Sequence, residues 1–267
     1  MPIIEVQHLV KQYGDTVAVR DLSFTVEAGE LFAFLGPNGA GKTTTINILC
    51  TLLAPTSGAT RVAGFDCLRQ SKQVREQIGI IFQDPSLDER LTAWENLLFH
   101  AMIYHVPARE RRERIDRVLA MVDLSERRHT VVKRFSGGMK RRLEIARGLL
   151  HRPTVLFLDE PTIGLDPQTR RRMWEFIDRL RREFQITLFL TTHYLEEAEA
   201  CDRVAIMDHG RLVALDTPAA LKARHATPAA SLEEVFLSVT GHDIRDEDSM
   251  GSANPLRTVR RWNRFLR

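Results

Sequence analysis

Residues Gly36 to Thr43 read Gly-Pro-Asn-Gly-Ala-Gly-Lys-Thr and directly follow the apolar run Leu31-Phe32-Ala33-Phe34-Leu35. A glycine loop that leaves a buried strand and opens a helix on Lys-Thr is suited to gripping a phosphate chain. Such a loop aims backbone N–H groups at one point, and the helix adds its positive N-terminal end. The glycines let backbone approach phosphate without a Cβ in the way. Lys42 is then placed to reach the β- and γ-phosphates, and the Thr43 hydroxyl to ligate Mg²⁺.

A second candidate lies far downstream. Val155 to Leu158 are four apolar residues ahead of Asp159-Glu160. A carboxylate at a strand end beside a phosphate loop supplies what Mg²⁺ needs, a ligand or an ordered water. Glu160, one residue further on, is suited to polarise an attacking water. Alone, the pair is equally a polar loop after a strand. Ser136-Gly137-Gly138 is a small-residue helix start: Ser136 can cap it, and the glycines expose N–H groups. It also fits a plain loop. His193 follows Ile186 to Leu190 and Thr191-Thr192, where a lone histidine is as a rule structural.

These groups need a scaffold. Between Ile3 and Glu30 apolar and polar residues alternate, punctuated by Gly14-Asp15 and Ala28-Gly29, which predicts short antiparallel strands. The helix after the loop carries Ile46, Leu49 and Leu53 and is expected to stop near Pro55 and Gly58. A strand is expected over Ile78 to Phe82, ending at Gln83. From Leu91 to Leu150 the pattern is mainly helical. One helix starts near Pro107 and buries Ile115, Val118, Leu119 and Val122; another starts at Ser136 with Leu143, Ala146 and Leu150 inward. Later come a strand at Val155 to Leu158 and a helix from Pro167 burying Met173, Trp174, Ile177 and Leu180. A strand at Ile186 to Leu190, an acidic helix near Leu195 to Ala200 and a strand at Val204 to Met207 follow. Alternating strands and helices predict an α/β fold, a largely parallel sheet with helices on both faces, interrupted by an inserted helical block.

Composition narrows the classes. The apolar fraction of 43% is ordinary for a globular chain of 267 residues. No apolar stretch approaches the ~18 residues needed to cross a bilayer. The N-terminal residues show no secretory pattern, so the expected compartment is the cytoplasm. Cys50, Cys67 and Cys201 are scattered, as reduced thiols in or near a core would be. A net charge of +3 gives no reason to expect a nucleic-acid partner. The arginine runs are interleaved with acids and read as solvated helix faces.

Taken together, residues 3 to 240 resemble the nucleotide-binding subunit of an ATP-binding-cassette (ABC) transporter. Seven ordered elements carry the resemblance. Tyr13 matches the aromatic residue that stacks on adenine. Gly36 to Thr43 matches the Walker A loop. Gln83 matches the glutamine that touches Mg²⁺ and senses the γ-phosphate. Phe135-Ser136-Gly137-Gly138-Met139 is similar to the signature sequence, with Phe135 and Met139 where Leu and Gln are usual. Val155 to Asp159 is similar to Walker B, and Glu160 to its catalytic glutamate. Thr162 to Asp166 looks like the D-loop, and His193 matches the switch histidine. The run Ser136 to Leu143 and the segment Ser231 to Gly241 are similar to exporter ATPases of the daunorubicin-resistance type.

The resemblance implies a P-loop NTPase (RecA-like) core with an N-terminal antiparallel β subdomain and a helical subdomain at about 86–150. The cassette is expected over 1–240, with a polar, basic tail at 241–267. It implies ATP and Mg²⁺ as ligands. Gly36, Pro37, Asn38, Gly39, Ala40, Gly41, Lys42, Thr43 and Thr44 grip nucleotide with Tyr13. Ser136, Gly137, Gly138 and Asp166 grip it across a dimer of two identical chains. Thr43, Gln83 and Asp159 are the metal-side residues; Glu160, His193, Lys42 and Gln83 are the catalytic ones. It further implies multi-span permease subunits that dock near Asp84 to Tyr104, with Leu87, Leu91, Trp94, Leu97 and Leu98 as apolar candidates. The implied location is the inner face of the cell membrane, and the implied process export. Import, or a soluble ATPase acting on ribosomes or DNA, stays open at this point. A P-loop kinase would lack the ordered Gln83, Ser136 and His193 set, and no guanine-reading Asn-Lys-x-Asp is present. The basic tail Arg257 to Arg267 could lie on anionic lipid or have no ordered role.

Overall fold

The computed structural model describes residues 1–83, 86–225, 230–241 and 244. Two long strands, β1 (Pro2–Tyr13) and β2 (Thr16–Glu27), form a hairpin across the turn at Gly14 and Asp15. They are twelve residues each, longer than the alternation predicted, because bulges at His8 and Asp21 reset the register midway. The glycine loop runs from β3 (Leu31–Leu35) to α1 (Lys42–Leu49). Helix α1 ends before the expected Leu53: Thr51 turns left-handed at φ 64°, and Leu53 is half-buried beyond it. Next come β4 (Ser57–Val62), β5 (Phe65–Asp66) and α2 (Ser71–Gln77), none of them expected. Then β6 (Ile78–Ile81) stops one residue short of Phe82.

Among the described residues, three α-helices separate β6 from the next strand, α3 (Ala93–Ile103), α4 (Ala108–Met121) and α5 (Gly137–Leu149), with two short 3-10 turns at Ser125–Arg127 and Val132–Arg134. A Thr92–Glu95 capping box starts α3, and Ser136 caps α5. Then follow β7 (Val155–Asp159), α6 (Pro167–Phe184), β8 (Thr187–Thr192), α7 (Leu195–Glu199) and β9 (Arg203–Asp208). The unexpected β10 (Arg211–Asp216), α8 (Pro218–His225) and α9 (Leu232–Thr240) complete the described fold. The expected polar and basic tail lies outside the described residues apart from Gly241 and Ile244.

The main sheet has the order β10-β9-β3-β8-β7-β6, parallel except for β10. A second, antiparallel sheet has the order β2-β1-β4-β5. The fully buried central strands still obey the two-residue period. Leu31, Ala33 and Leu35 face the helices with Leu156, Leu158, Leu188 and Leu190. Phe32, Phe34, Phe157 and Phe189 face the antiparallel sheet, where Phe24 joins them. Phe24 stacks on Phe32 at 5.6 Å, and Phe189 meets Phe34 edge-on at 5.1 Å. Such aromatic pairs add to area burial and fix how the sheets lie together.

The helical period corrects two expectations. On α6 the buried set is Met173, Phe176, Ile177 and Leu180, while Trp174 is only half-buried. On α3, Ala93, Leu97 and Ala101 point inward, so Leu97 is wholly buried; Leu87, Trp94 and Leu98 also lean on the core. The apolar side chains α3 gives to solvent are Phe99, Met102 and Ile103, each at least half exposed. The faces expected on α4 and α5 are buried, and all three cysteines are free and buried.

Where α3 meets the main fold, Tyr104 stacks on His151 at 4.1 Å and packs at a tilt against His100 at 4.6 Å. Burial, with Arg147 and His151 nearby, pushes His100 down to about 3. Burial also lowers His151, against the pull of its bond to the Ile78 carbonyl. An imidazole whose folded pKa lies below its unfolded value binds its proton more readily in the unfolded chain. Stability therefore falls as pH drops from about 6.5 toward 3. His100→Phe should flatten that fall by up to about 1 kcal/mol per pH unit. Urea unfolding at pH 7 and pH 5 measures it; an unchanged slope refutes the assignment.

Candidate functional site

The parallel sheet brings the sequence-distant groups together. Strands β3, β8 and β7 are adjacent, so the loop after β3, His193 after β8 and Glu160 after β7 emerge at one edge. Carboxyl ends of parallel strands are where α/β sheets bind ligands. A cleft of about 500 Å³ opens there, lined by Tyr13, Asn38, Gly39, Gly41, Lys42, Thr43, Thr44, Gln83 and Glu160, with Thr16 and Ala18.

Gly41 starts α1 at φ 100°, and a Cβ there would stand 2.6 Å from the Ala18 carbonyl oxygen. Only glycine fits, so the loop can press against β2. Ala40 is buried beneath the loop. Lys42 Nζ donates to the carbonyls of Gly36 at 2.6 Å and Pro37 at 3.0 Å. It also stands 4.0 Å from Glu160 Oε1, with both side chains buried. Burial lowers the Lys42 ammonium, and the charges of Glu160 and Asp159 restore part of the loss.

Asp159 is buried and pushed above the usual carboxylate range, chiefly by burial and also by Glu160. Hydrogen bonds from Thr191 and Thr43 and the Lys42 charge oppose that rise. Its Oδ1 accepts from the Thr191 hydroxyl and lies 3.4 Å from Thr43 Oγ1. Two hard oxygens this close, one on a carboxylate short of cationic charge, fit the oxygen preference of Mg²⁺. Gln83 stands at the rim of the same cleft. Among the described residues no cluster of three acid, histidine or cysteine ligands exists, so a cation here would complete its shell with ligand oxygens and water.

His193 Nδ1 lies 3.3 Å from Glu160 Oε1. Burial alone would raise the Glu160 carboxyl; the His193 hydrogen bond and the Lys42 and His193 charges hold it below the ordinary value. Glu160 adopts φ 47°, the left-handed region that residues with a Cβ seldom occupy. Tyr13 is partly exposed at the cleft mouth with Lys11 Nζ 5.0 Å above its ring.

Ser136 and Gly138 line a different cleft, of about 570 Å³, with Thr169, Arg142 and Arg172. Gly137 faces Leu165, and Asp166 Oδ1 caps α6 by accepting from Thr169 N at 3.0 Å. The fold thus gathers the loop, Gln83, Asp159, Glu160 and His193, and places Ser136, Gly138 and Asp166 elsewhere.

Four partly or wholly buried polar residues escaped the sequence reading. Glu197 is buried and accepts from the Thr162 and Thr192 hydroxyls, which ties the segment after Glu160 to the one before His193. Arg141 and Glu144 form a buried ion pair at 3.1 Å. Thr191 buttresses both Asp159 and the Glu160 N–H. In sequence these acids and bases look like the solvated charges around them.

A family model described as ABC transporter matches residues 19–163. The probable multidrug ABC transporter ATP-binding protein YbhF of Escherichia coli (strain K12) is 40% identical over 250 residues. The match covers 92% of this chain and 43% of that protein, so the chain spans under half of its length. The daunorubicin resistance ATP-binding protein DrrA3 of Streptomyces coeruleorubidus is 43% identical over 221 residues, 82% of this chain and 70% of the other. Among solved structures, CbiO1 from Clostridium perfringens, described as part of the ABC transporter complex CbiONQ, superposes with a TM-score of 0.78. That match is 31% identical and covers 84% of this chain and 91% of the other. With the matched model covering more than half of the sequence and such relatives along most of it, this chain belongs to the ABC transporter family.

Proposed function

We propose that this chain is an ATP-hydrolysing subunit that powers export through separate membrane subunits. The observation that carries it is the convergence of Lys42, Thr43, Asp159, Glu160 and His193 at one sheet edge around a cleft of about 500 Å³. Residues 1–240 act as the cassette, with about 86–150 as its helical part. The loop residues and Lys42 hold the triphosphate, and Tyr13 takes the base. Thr43, Asp159 and Gln83 would hold Mg²⁺, which neutralises phosphate charge when bound. Glu160 orients a water toward the γ-phosphorus, and His193 fixes the Glu160 carboxylate and faces the developing charge.

Ser136 and Gly138 line another cleft in the same chain. They serve the site of a second copy, so two chains close head to tail on two nucleotides about a two-fold axis. ATP closes the pair and hydrolysis reopens it, because nucleotide binds the two states with different affinity. No described helix is long and apolar enough to cross a membrane; in this reading the pore is formed by partner subunits. Phe99, Met102 and Ile103 on α3 offer that partner an apolar face, within the segment where docking is expected. CbiO1 is described as part of an ABC transporter complex, which supports work alongside other subunits, and DrrA3 as a daunorubicin resistance protein, which supports export as the direction.

The test is assembly. Glu160→Gln should elute as a dimer in saturating ATP, and adding Ser136→Arg should return it to monomer while each chain still binds ATP. A dimer indifferent to Ser136, or no dimer at all, overturns the composite site.

A further inference from the structure

We propose that Arg141 is a positioning residue that holds the catalytic end of β7, the Gln83 loop and helix α5 as one unit. The proposal rests on the ATPase reading above and extends it to a residue outside the nucleotide cleft.

Arg141 is only 7% exposed and lies on α5, shortly after Ser136. A guanidinium offers five N–H donors in a rigid planar fork. Here all five are used. Nε donates to the Pro161 carbonyl at 2.9 Å. Nη1 donates to the Phe82 carbonyl at 2.6 Å and to Glu144 at 3.1 Å. Nη2 donates to the carbonyls of Asp159 at 3.1 Å and Glu160 at 3.4 Å. The other oxygen of Glu144 accepts from Ser86 N at 2.8 Å. One buried pair on α5 therefore ties down Phe82 and Ser86, on either side of the Gln83 loop, and three consecutive carbonyls around Glu160.

That grip matters because Glu160 is left-handed at φ 47°. A residue with a Cβ stays in that region only where its surroundings over-determine it. The Glu160 N–H is taken by Thr191, and the carbonyls of Asp159, Glu160 and Pro161 by Arg141. Ile163 N also donates to the Glu160 carbonyl, at 3.3 Å. Without the fork, the backbone bearing Glu160 keeps Thr191 and Ile163 but loses the clamp that joins its three carbonyls to α5. The side chain can then drift from the line of attack, and a misplacement of ~1 Å costs on the order of a hundredfold in rate.

The experiment compares Arg141→Lys, Arg141→Gln and the double variant Arg141→Met with Glu144→Met. The double variant removes both charges together, so no lone buried charge is left to unfold the chain. ATP hydrolysis, binding of a fluorescent ATP analogue and the thermal midpoint are measured on each. Each folded variant should lose at least about tenfold in kcat. KM and nucleotide affinity should stay within about threefold, because none of the five bonds goes to the phosphate loop. Lysine should fail to rescue, since it carries the charge without the fork. Wild-type kcat in any folded variant, or a loss confined to KM, overturns the proposal. So does unfolding of the double variant, which would make the pair a folding element only. Wild-type protein is assayed alongside: its inactivity strikes the ATPase reading, whereas an active wild type with an unimpaired variant strikes this proposal alone.

Discussion

Replacing Glu160 by glutamine should lower kcat for ATP hydrolysis by about 10²–10⁴ while ATP still binds. Glutamine keeps the size of the side chain and can still accept from His193. It cannot take a proton from water or polarise it as a carboxylate does. The Glu160 carboxyl is held below the ordinary carboxylate value, so near neutral pH it is ionised and ready to act as a base. Losing that charge removes a repulsion felt by an incoming triphosphate, so affinity should hold or tighten slightly. Lys42 keeps both carbonyl partners in the loop, and the grip survives. Phosphate release at saturating ATP measures turnover, and a fluorescent ATP analogue measures binding. Turnover at the wild-type rate would remove Glu160 from the chemistry.

Lys42→Ala acts on the other half of the site and should abolish tight binding as well as turnover. The ammonium is a buried cation within 4.0 Å of Glu160, beside the carboxylate of Asp159. Hydrogen bonds to charged partners contribute roughly 1.5–3 kcal/mol each, so losing two phosphate contacts costs about 10²–10⁴ in affinity. The substitution also leaves two buried carboxylates without their cation, which disfavours a further anion. Arginine should not rescue, because its wider planar head does not fit the pocket where Nζ meets the Gly36 and Pro37 carbonyls. Calorimetric titration with ATP reads the first effect and phosphate release the second. Tight binding and full-rate hydrolysis by Lys42→Ala would refute the nucleotide site as a whole.

The two variants separate binding from chemistry, and they draw on different sources of knowledge. The phosphate loop is legible in sequence because its geometry is local. Eight consecutive residues set the turn, the approach of the backbone and the start of α1, and the apolar run before them announces the strand. The helical faces of α4 and α5 are legible for the same reason: a helix repeats within a few residues. Strand β4, helix α2 and edge strand β10 escape notice because their burial is partial. A two-sided or half-exposed element shows no sustained apolar period; in β10 no position is fully buried.

The sequence by itself determined which side chains have the chemistry to hold phosphate, metal or water, since residue type and immediate neighbours set that chemistry. It also determined an α/β order of elements with a helical insertion. Only the tertiary structure decided who meets whom. Sheet order β3-β8-β7 places Lys42, His193 and Glu160 at one edge, and strand order depends on long-range pairing that no local pattern encodes. Burial likewise turned Arg141, Glu144 and Glu197 from apparent surface charges into internal clamps. A charge reads the same in sequence whether water or protein surrounds it; its environment is a property of the folded chain.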